Sequence, residues 1–218
     1  MDPSLWVHKA LAPIYASAAV SSDAVYFSTL LDGRVIKLGR HDGRLRWSKA
    51  ASLSPIPSSP TLSPDGSTLY VASTDGNLRA IHTANGEVRW AVSVGLVDGS
   101  SPAVASDGTI YIGTVEPTDS GLFAISSAGH LLWKMRADDM VQSSPAIGAG
   151  GTIFFSSFKA TLFAVEPHNG TVRWTARLEG TSFSSPALGN RGIYLGINIG
   201  LSKGAVVAFL GDHDDVGR

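Results

Sequence analysis

The stretch that decides the fold is SSPTLSPDGSTLYVASTDGNLRAIHTANGEVRW, residues 58–90. Short β-rich runs alternate with turn pairs: Asp65-Gly66, then TLYVA, then Asp75-Gly76, then NLRAIH, then Asn85-Gly86, then VRW. Runs of this length separated by Asp-Gly and Asn-Gly are hairpin signals. No 3.6-residue period with capping residues competes with them. The stretch reads as four antiparallel strands, A to D, with Trp90 on strand D.

The same unit recurs on both sides. SSPAVASDGTIYIGTVEPTDSGLFAISSAGHLLW covers residues 100–133 and SSPAIGAGGTIFFSSFKATLFAVEPHNGTVRW residues 143–174. The tryptophans Trp6, Trp47, Trp90, Trp133 and Trp174 are spaced by 41, 43, 43 and 41 residues. A glycine stands four positions before each of the last four: Gly43, Gly86, Gly129 and Gly170. Four-stranded units at this period predict a β-propeller. The repeated residues are expected to be architecture, with Gly setting the turn and Trp packing blade on blade. The SSP serines recur too often for a nucleophile, which must be singular and paired with a base; they are expected to satisfy backbone groups at the start of strand A.

The expected domain is a single all-β propeller over 1–218. Its blades fall at about 18–50, 60–93, 102–136, 145–178 and 186–210, with an additional N-terminal strand at 4–9. Residues 186–210 supply strands A to C without D, and the 4–9 strand supplies a D without A to C. Five blades closed by pairing of the N-terminal strand with the last blade is the architecture this predicts; a stretch of a longer array is the alternative.

Composition agrees with a turn-rich β-protein. Charged residues are 16% and hydrophobic residues 44% of the 218, too apolar for disorder. The net charge of −1 gives no general attraction for nucleic acid, and no apolar run is long enough to span a membrane. The basic cluster Arg34, Lys37, Arg40, Arg44, Arg46 and Lys49 reads as a solvated strand edge. With no cysteine, disulfides and thiolate chemistry are excluded. The histidines His41, His82, His130 and His168 fall in or beside C–D turns of different blades and form no metal-ligand pattern. No signal peptide is recognisable, and the sequence leaves the compartment open.

The segments AIHTANGEVRW (80–90), AVEPHNGTVRW (164–174), AISSAGHLLW (124–133) and KLGRHDGRLRW (37–47) resemble the tryptophan-docking motif of the pyrroloquinoline-quinone propeller repeat. That motif has Ala first, an acidic third residue, then Gly and Trp. Here the third place holds His82, Glu166, Ser126 and Gly39, and Lys37 replaces the first Ala. The resemblance implies the propeller fold. It also implies a superfamily divided between quinone-dependent dehydrogenases and non-enzymatic members, one of which assists β-barrel assembly in bacterial outer membranes. The dehydrogenases set vicinal cysteines against the quinone and hold Ca²⁺ with acidic residues. This chain has neither pattern, so no bound quinone, no other cofactor, no metal and no catalytic residue is expected.

Functional expectation falls on the loops that break the repeat. A–B and C–D turns share one face and are nearly uniform; B–C loops and D–A segments share the other and vary. A non-catalytic binding scaffold using that face for a protein partner, and itself a monomer, is the reading the sequence favours. Candidate contacts on the B–C loops are Leu30, Leu31, Glu116, Phe158 and Asn198, with Leu30, Leu31 and Phe158 expected to be exposed. On the D–A segments they are Tyr15, Asp98, Gln142 and Phe183. The alternatives are a sugar or quinone-like ligand held between Tyr15 and Phe183 with Asp98 and Gln142 as polar partners, or a piece of a larger dehydrogenase-like propeller.

Overall fold

The computed structural model describes residues 6–190 and 192–210. Among the described residues nineteen strands build five antiparallel sheets and no helix occurs. The chain divides into two compact units, residues 1–98 and 99–218.

The first unit holds two sheets. One is Ala19–Val20, Ala24–Ser28, Arg34–Gly39 and Leu45–Ala50 (β1 to β4); the other is Thr61–Leu62, Thr68–Ala72, Asn77–His82 and Val88–Ser93 (β5 to β8). Tyr26, Val35 and Trp47 of the first pack with Leu69, Val71 and Ile81 of the second.

The second unit holds three. Its first sheet is Ala103–Val104, Ile110–Gly113, Gly121–Ile125 and Leu131–Arg136 (β9 to β12). The next is Ala146–Ile147, Ile153–Ser156, Thr161–Val165 and Val172–Arg177 (β13 to β16). The last is Ala187–Gly189, Gly192–Ile199 and Lys203–Phe209 (β17 to β19). Tyr111, Leu122 and Met135 pack against Ile153, Phe155 and Phe163, and Phe154, Leu162 and Ala164 against Ile193, Leu195 and Ile197.

Middle strands such as TLYVA (β6), IYIG (β10) and IFFS (β14) are buried at every position. Sheets covered on both faces need apolar runs rather than alternation. The five sheets span residues 19–50, 61–93, 103–136, 146–177 and 187–209. The expected strand at 4–9 is different. Residues 6–10 belong to no strand, residues 4 and 5 lie outside the described residues, and among the described residues β19 pairs with β18 alone.

The docking motif has a physical content that its spacing did not reveal. In each four-stranded sheet its first residue stands directly beside the tryptophan: Lys37 by Trp47, Ala80 by Trp90, Ala124 by Trp133 and Ala164 by Trp174. A second-strand aromatic flanks the other side, and its ring meets the indole across the small residue at 5.7–5.9 Å for Tyr111–Trp133, Tyr70–Trp90 and Phe154–Trp174. In the first sheet Lys37 replaces Ala, and its ammonium lies over the Tyr26 ring at 5.4 Å. A bulge follows the row in all four sheets. The segment 124–133, one residue shorter than the others, keeps its register by tightening the turn. Gly129 N–H bonds Ser126 O, where Gly43, Gly86 and Gly170 reach back one residue further to Gly39, His82 and Glu166.

Trp47 and Trp133 also reach the next sheet of their own unit. Within the first unit Trp47 donates Nε1–H to Thr83 O at 3.1 Å and lies on Gly86; within the second, Trp133 donates to Pro167 O at 2.8 Å and lies on Gly170. Both glycines have positive φ, and a Cβ on either would come within 2.6–2.7 Å of the indole. Glycine is therefore required twice, by backbone conformation and by close approach.

Candidate functional site

The SSP serines are structural, as their repetition suggested. Ser143 Oγ donates to Ser156 O and accepts from Ser156 N–H, both at 2.9 Å, and Ser58 does the same with Ala72. The second serine links successive sheets: Ser144 Oγ accepts from Ser101 N–H, and Ser185 Oγ from Ser144 N–H, each at 2.9 Å. A hydroxyl that serves buried backbone groups in this way is occupied on both its donor and acceptor sides.

The candidate contact residues divide between the two units. Tyr15, Leu30, Leu31 and Asp98 belong to residues 1–98; Glu116, Gln142, Phe158, Phe183 and Asn198 belong to 99–218. In the first unit Tyr15 and Leu31 are exposed, at 79% and 63%. Leu30, expected to be exposed, is half-buried: its N–H bonds Pro13 O and its carbonyl accepts from Ile56 N–H, which ties the loop down. Asp98 is exposed.

In the second unit three of the residues meet. Phe158, expected to be exposed, is half-buried because Phe183 covers it, the ring centroids standing 5.1 Å apart. The backbone holds this arrangement from three sides. Phe158 N–H bonds Met140 O, Ser182 N–H bonds Phe158 O, and Thr181 exchanges both backbone hydrogen bonds with Asn198. Gly180 permits that strap, since a Cβ there would lie 2.0 Å from Asn198 O. The result is a shallow depression of about 590 Å³ lined by Phe158, Thr181, Phe183, Asn198, Leu201 and Lys203 among others. Phe183 remains 52% exposed, and Leu201 at the turn between β18 and β19 is fully exposed. Leu201 was not singled out by sequence, although a leucine in the polar, glycine-flanked run NIGLSKG is a readable signal. Glu116 and Gln142 lie elsewhere in this unit, each half-buried, and do not line the depression.

A charged network was also missed. Asp75, in a turn that reads as plain Thr-Asp-Gly, accepts from Ser52 Oγ at 3.0 Å, Asn77 N–H at 3.0 Å, Ser73 Oγ, and the Arg79 guanidinium. Burial pushes its carboxyl up, but Arg79 and these donors hold it well below the usual carboxylate range. Asp75 thereby pins the loop before β7 to the segment after β4. Its four partners leave it no free lone pair for substrate, so it is a brace. Among the described residues no three His, Asp or Glu side chains come together as metal ligands.

Four-stranded antiparallel sheets in sequence, each with a tryptophan row, and within each unit a tryptophan docked on the glycine of the following sheet, define a β-propeller repeat protein of the pyrroloquinoline-quinone type. A sequence model described as outer membrane protein assembly factor BamB matches residues 4–116 and 118–209, and the chain belongs to that family. The crystal structure of BamB from Moraxella catarrhalis superposes with a TM-score of 0.67 at 18% identity, over 88% of this chain and 60% of that one. Protein Rv3035 of Mycobacterium tuberculosis (strain ATCC 25618 / H37Rv) is 32% identical over 136 residues, 58% of this chain and 33% of that protein. The chain thus spans about a third of the one relative's length and three fifths of the other's.

Proposed function

We infer that the chain is a non-catalytic protein-interaction scaffold, of the assembly-factor kind, whose partner seats on the Phe158–Phe183 depression and Leu201. The observation that carries this is the contrast between a rigid frame and an uncovered apolar tip. Phe183 and Leu201 stay exposed although the backbone beneath them is hydrogen-bonded from three directions. A preorganised aromatic and aliphatic cluster loses little entropy on binding and is the usual make-up of an interface hot spot. The family membership supports the reading, since the family is described as an assembly factor. The serines and Asp75, saturated by structural hydrogen bonds, support a non-enzymatic role.

A photo-crosslinking residue placed at Leu201 tests it, with the same residue at Asp107, in a turn at the opposite end of its sheet, as the control. A discrete polypeptide adduct from Leu201 and none from Asp107 is expected. Equal adducts from both positions, or none from Leu201, would overturn the assignment.

A further inference from the structure

One crevice of the repeat is filled by a lysine in the first unit and left to solvent in the second. In the first unit it lies between the sheets β1 to β4 and β5 to β8. Lys37 Nζ donates to Thr83 O at 3.2 Å, stands 3.9 Å from the Asp23 carboxylate and lies over the Tyr26 ring at 5.4 Å. A carbonyl, a carboxylate and an aromatic face are groups that attract an ammonium.

In the second unit the sheets β9 to β12 and β13 to β16 repeat each of these groups. Tyr111 stands beside Ala124 as Tyr26 stands beside Lys37. Pro167 O accepts from Trp133 Nε1–H as Thr83 O accepts from Trp47. Asp107 is the third residue after β9, as Asp23 is after β1. The ammonium alone has no counterpart, since Ala124 holds beside Trp133 the place that Lys37 holds beside Trp47. A crevice of about 340 Å³ lies there, with Asp107, Tyr111, Ile147, Gly150, Pro167 and His168 in its lining. The turn at 148–151 is Gly-Ala-Gly-Gly, so it brings no long side chain to fill the space.

The polar groups face this crevice. The Tyr111 hydroxyl donates to Pro167 O over a long 3.3 Å, reaching the carbonyl equivalent to the one that Lys37 takes in the first unit. Burial, and after it the charge of Asp107, push that hydroxyl up to about 12, so the field of the carboxylate falls on the tyrosine. Asp107 is exposed, and one of its oxygens accepts from Thr109 N–H at 2.9 Å.

We propose that this crevice binds a small primary amine, a short alkylammonium whose head takes the place of the Lys37 ammonium, on Pro167 O, beside Asp107 and against the Tyr111 ring. The Tyr111 hydroxyl, displaced from the carbonyl, can turn and accept from the ammonium. Ile147 and the glycine turn receive the alkyl chain. The site is independent of the partner surface around Phe183, and a small amine gives no polypeptide adduct at Asp107.

Titration of the full chain with n-butylammonium chloride, followed by amide NMR, tests the proposal. Sodium chloride controls for ionic strength and 1-butanol for the alkyl chain. Saturable shifts at Gly108, Gly150 and His168 from the ammonium alone are expected. Asp107→Asn should weaken the affinity about five-fold, the effect of losing an ion pair open to solvent. Ala124→Lys should abolish binding by seating its own ammonium in the crevice, as Lys37 does. No saturable shift, or equal shifts from sodium chloride or 1-butanol, would overturn the proposal. So would undiminished affinity in Asp107→Asn or in a folded Ala124→Lys; if the lysine variant does not fold, Asp107→Asn decides alone.

Discussion

The indole of Trp47 lies against Gly86, so near that a β-carbon there would come within 2.7 Å of the ring. The contact joins two sheets and explains why Asn85-Gly86 and Trp47 keep step in the sequence. It also separates two demands on glycine. Gly66 shares the positive φ of Gly86, at 70° against 76°, yet a Cβ on Gly66 would meet nothing within 4 Å. Gly66→Ala should cost about 1 kcal/mol, the penalty for an L-residue in the left-handed region. Gly86→Ala should cost about 1–3 kcal/mol more, from overpacking against the indole. Chemical denaturation of the two variants measures the difference, and equal losses would remove the contact from the account.

Ser143→Ala should destabilise by about 2–6 kcal/mol, because it leaves both backbone groups of Ser156 buried without their partner, at about 1–3 kcal/mol each. Amide exchange at Ser156 should quicken in the same variant. An unchanged rate would show that the hydroxyl is dispensable.

Asp75 makes stability depend on acid. Its folded pKa lies below the ordinary 3.8, so its contribution is fully present above that value and is lost as pH falls through the folded pKa. Asp75→Asn should be about 1.5–3 kcal/mol less stable at pH 7, the range for a hydrogen bond to a charged group. The gap should begin to narrow below about pH 4 and go on narrowing as pH falls further. Asp65, held at about 2 by the hydroxyls of Ser63 and Ser67, titrates in both proteins and cancels from the comparison. Thermal melts from pH 7 to pH 2 test this; a gap independent of pH would assign Asp75 a purely steric role.

Much of the frame was legible because each landmark has one local cause. Glycine marks positive φ, Asp-Gly and Asn-Gly mark turns, and tryptophan marks the outer strand, so the all-β repeat was readable in the sequence. The partners of those landmarks were not legible. Phe158 reads as an exposed loop aromatic because Phe183, which covers it, is 25 positions away in the chain. Asp75 reads as a turn residue because Ser52 reaches it from the segment following another sheet. The 4–9 segment has a fourth-strand pattern, yet pattern alone does not supply the neighbour with which a strand pairs. Trp6 keeps its docking partner while residues 6–10 form no strand.

The central claim is that the repeated residues build the frame and the departures from repetition bind. The most direct measurement is the affinity of the Phe183→Ala/Leu201→Ala double variant for the polypeptide captured at Leu201, taken together with its thermal midpoint. The account predicts about a 30-fold loss of affinity, the effect of removing about 2 kcal/mol of hot-spot contact, with the midpoint within a few degrees of the parent. Undiminished affinity, or a collapse in stability matching any loss of binding, would contradict it.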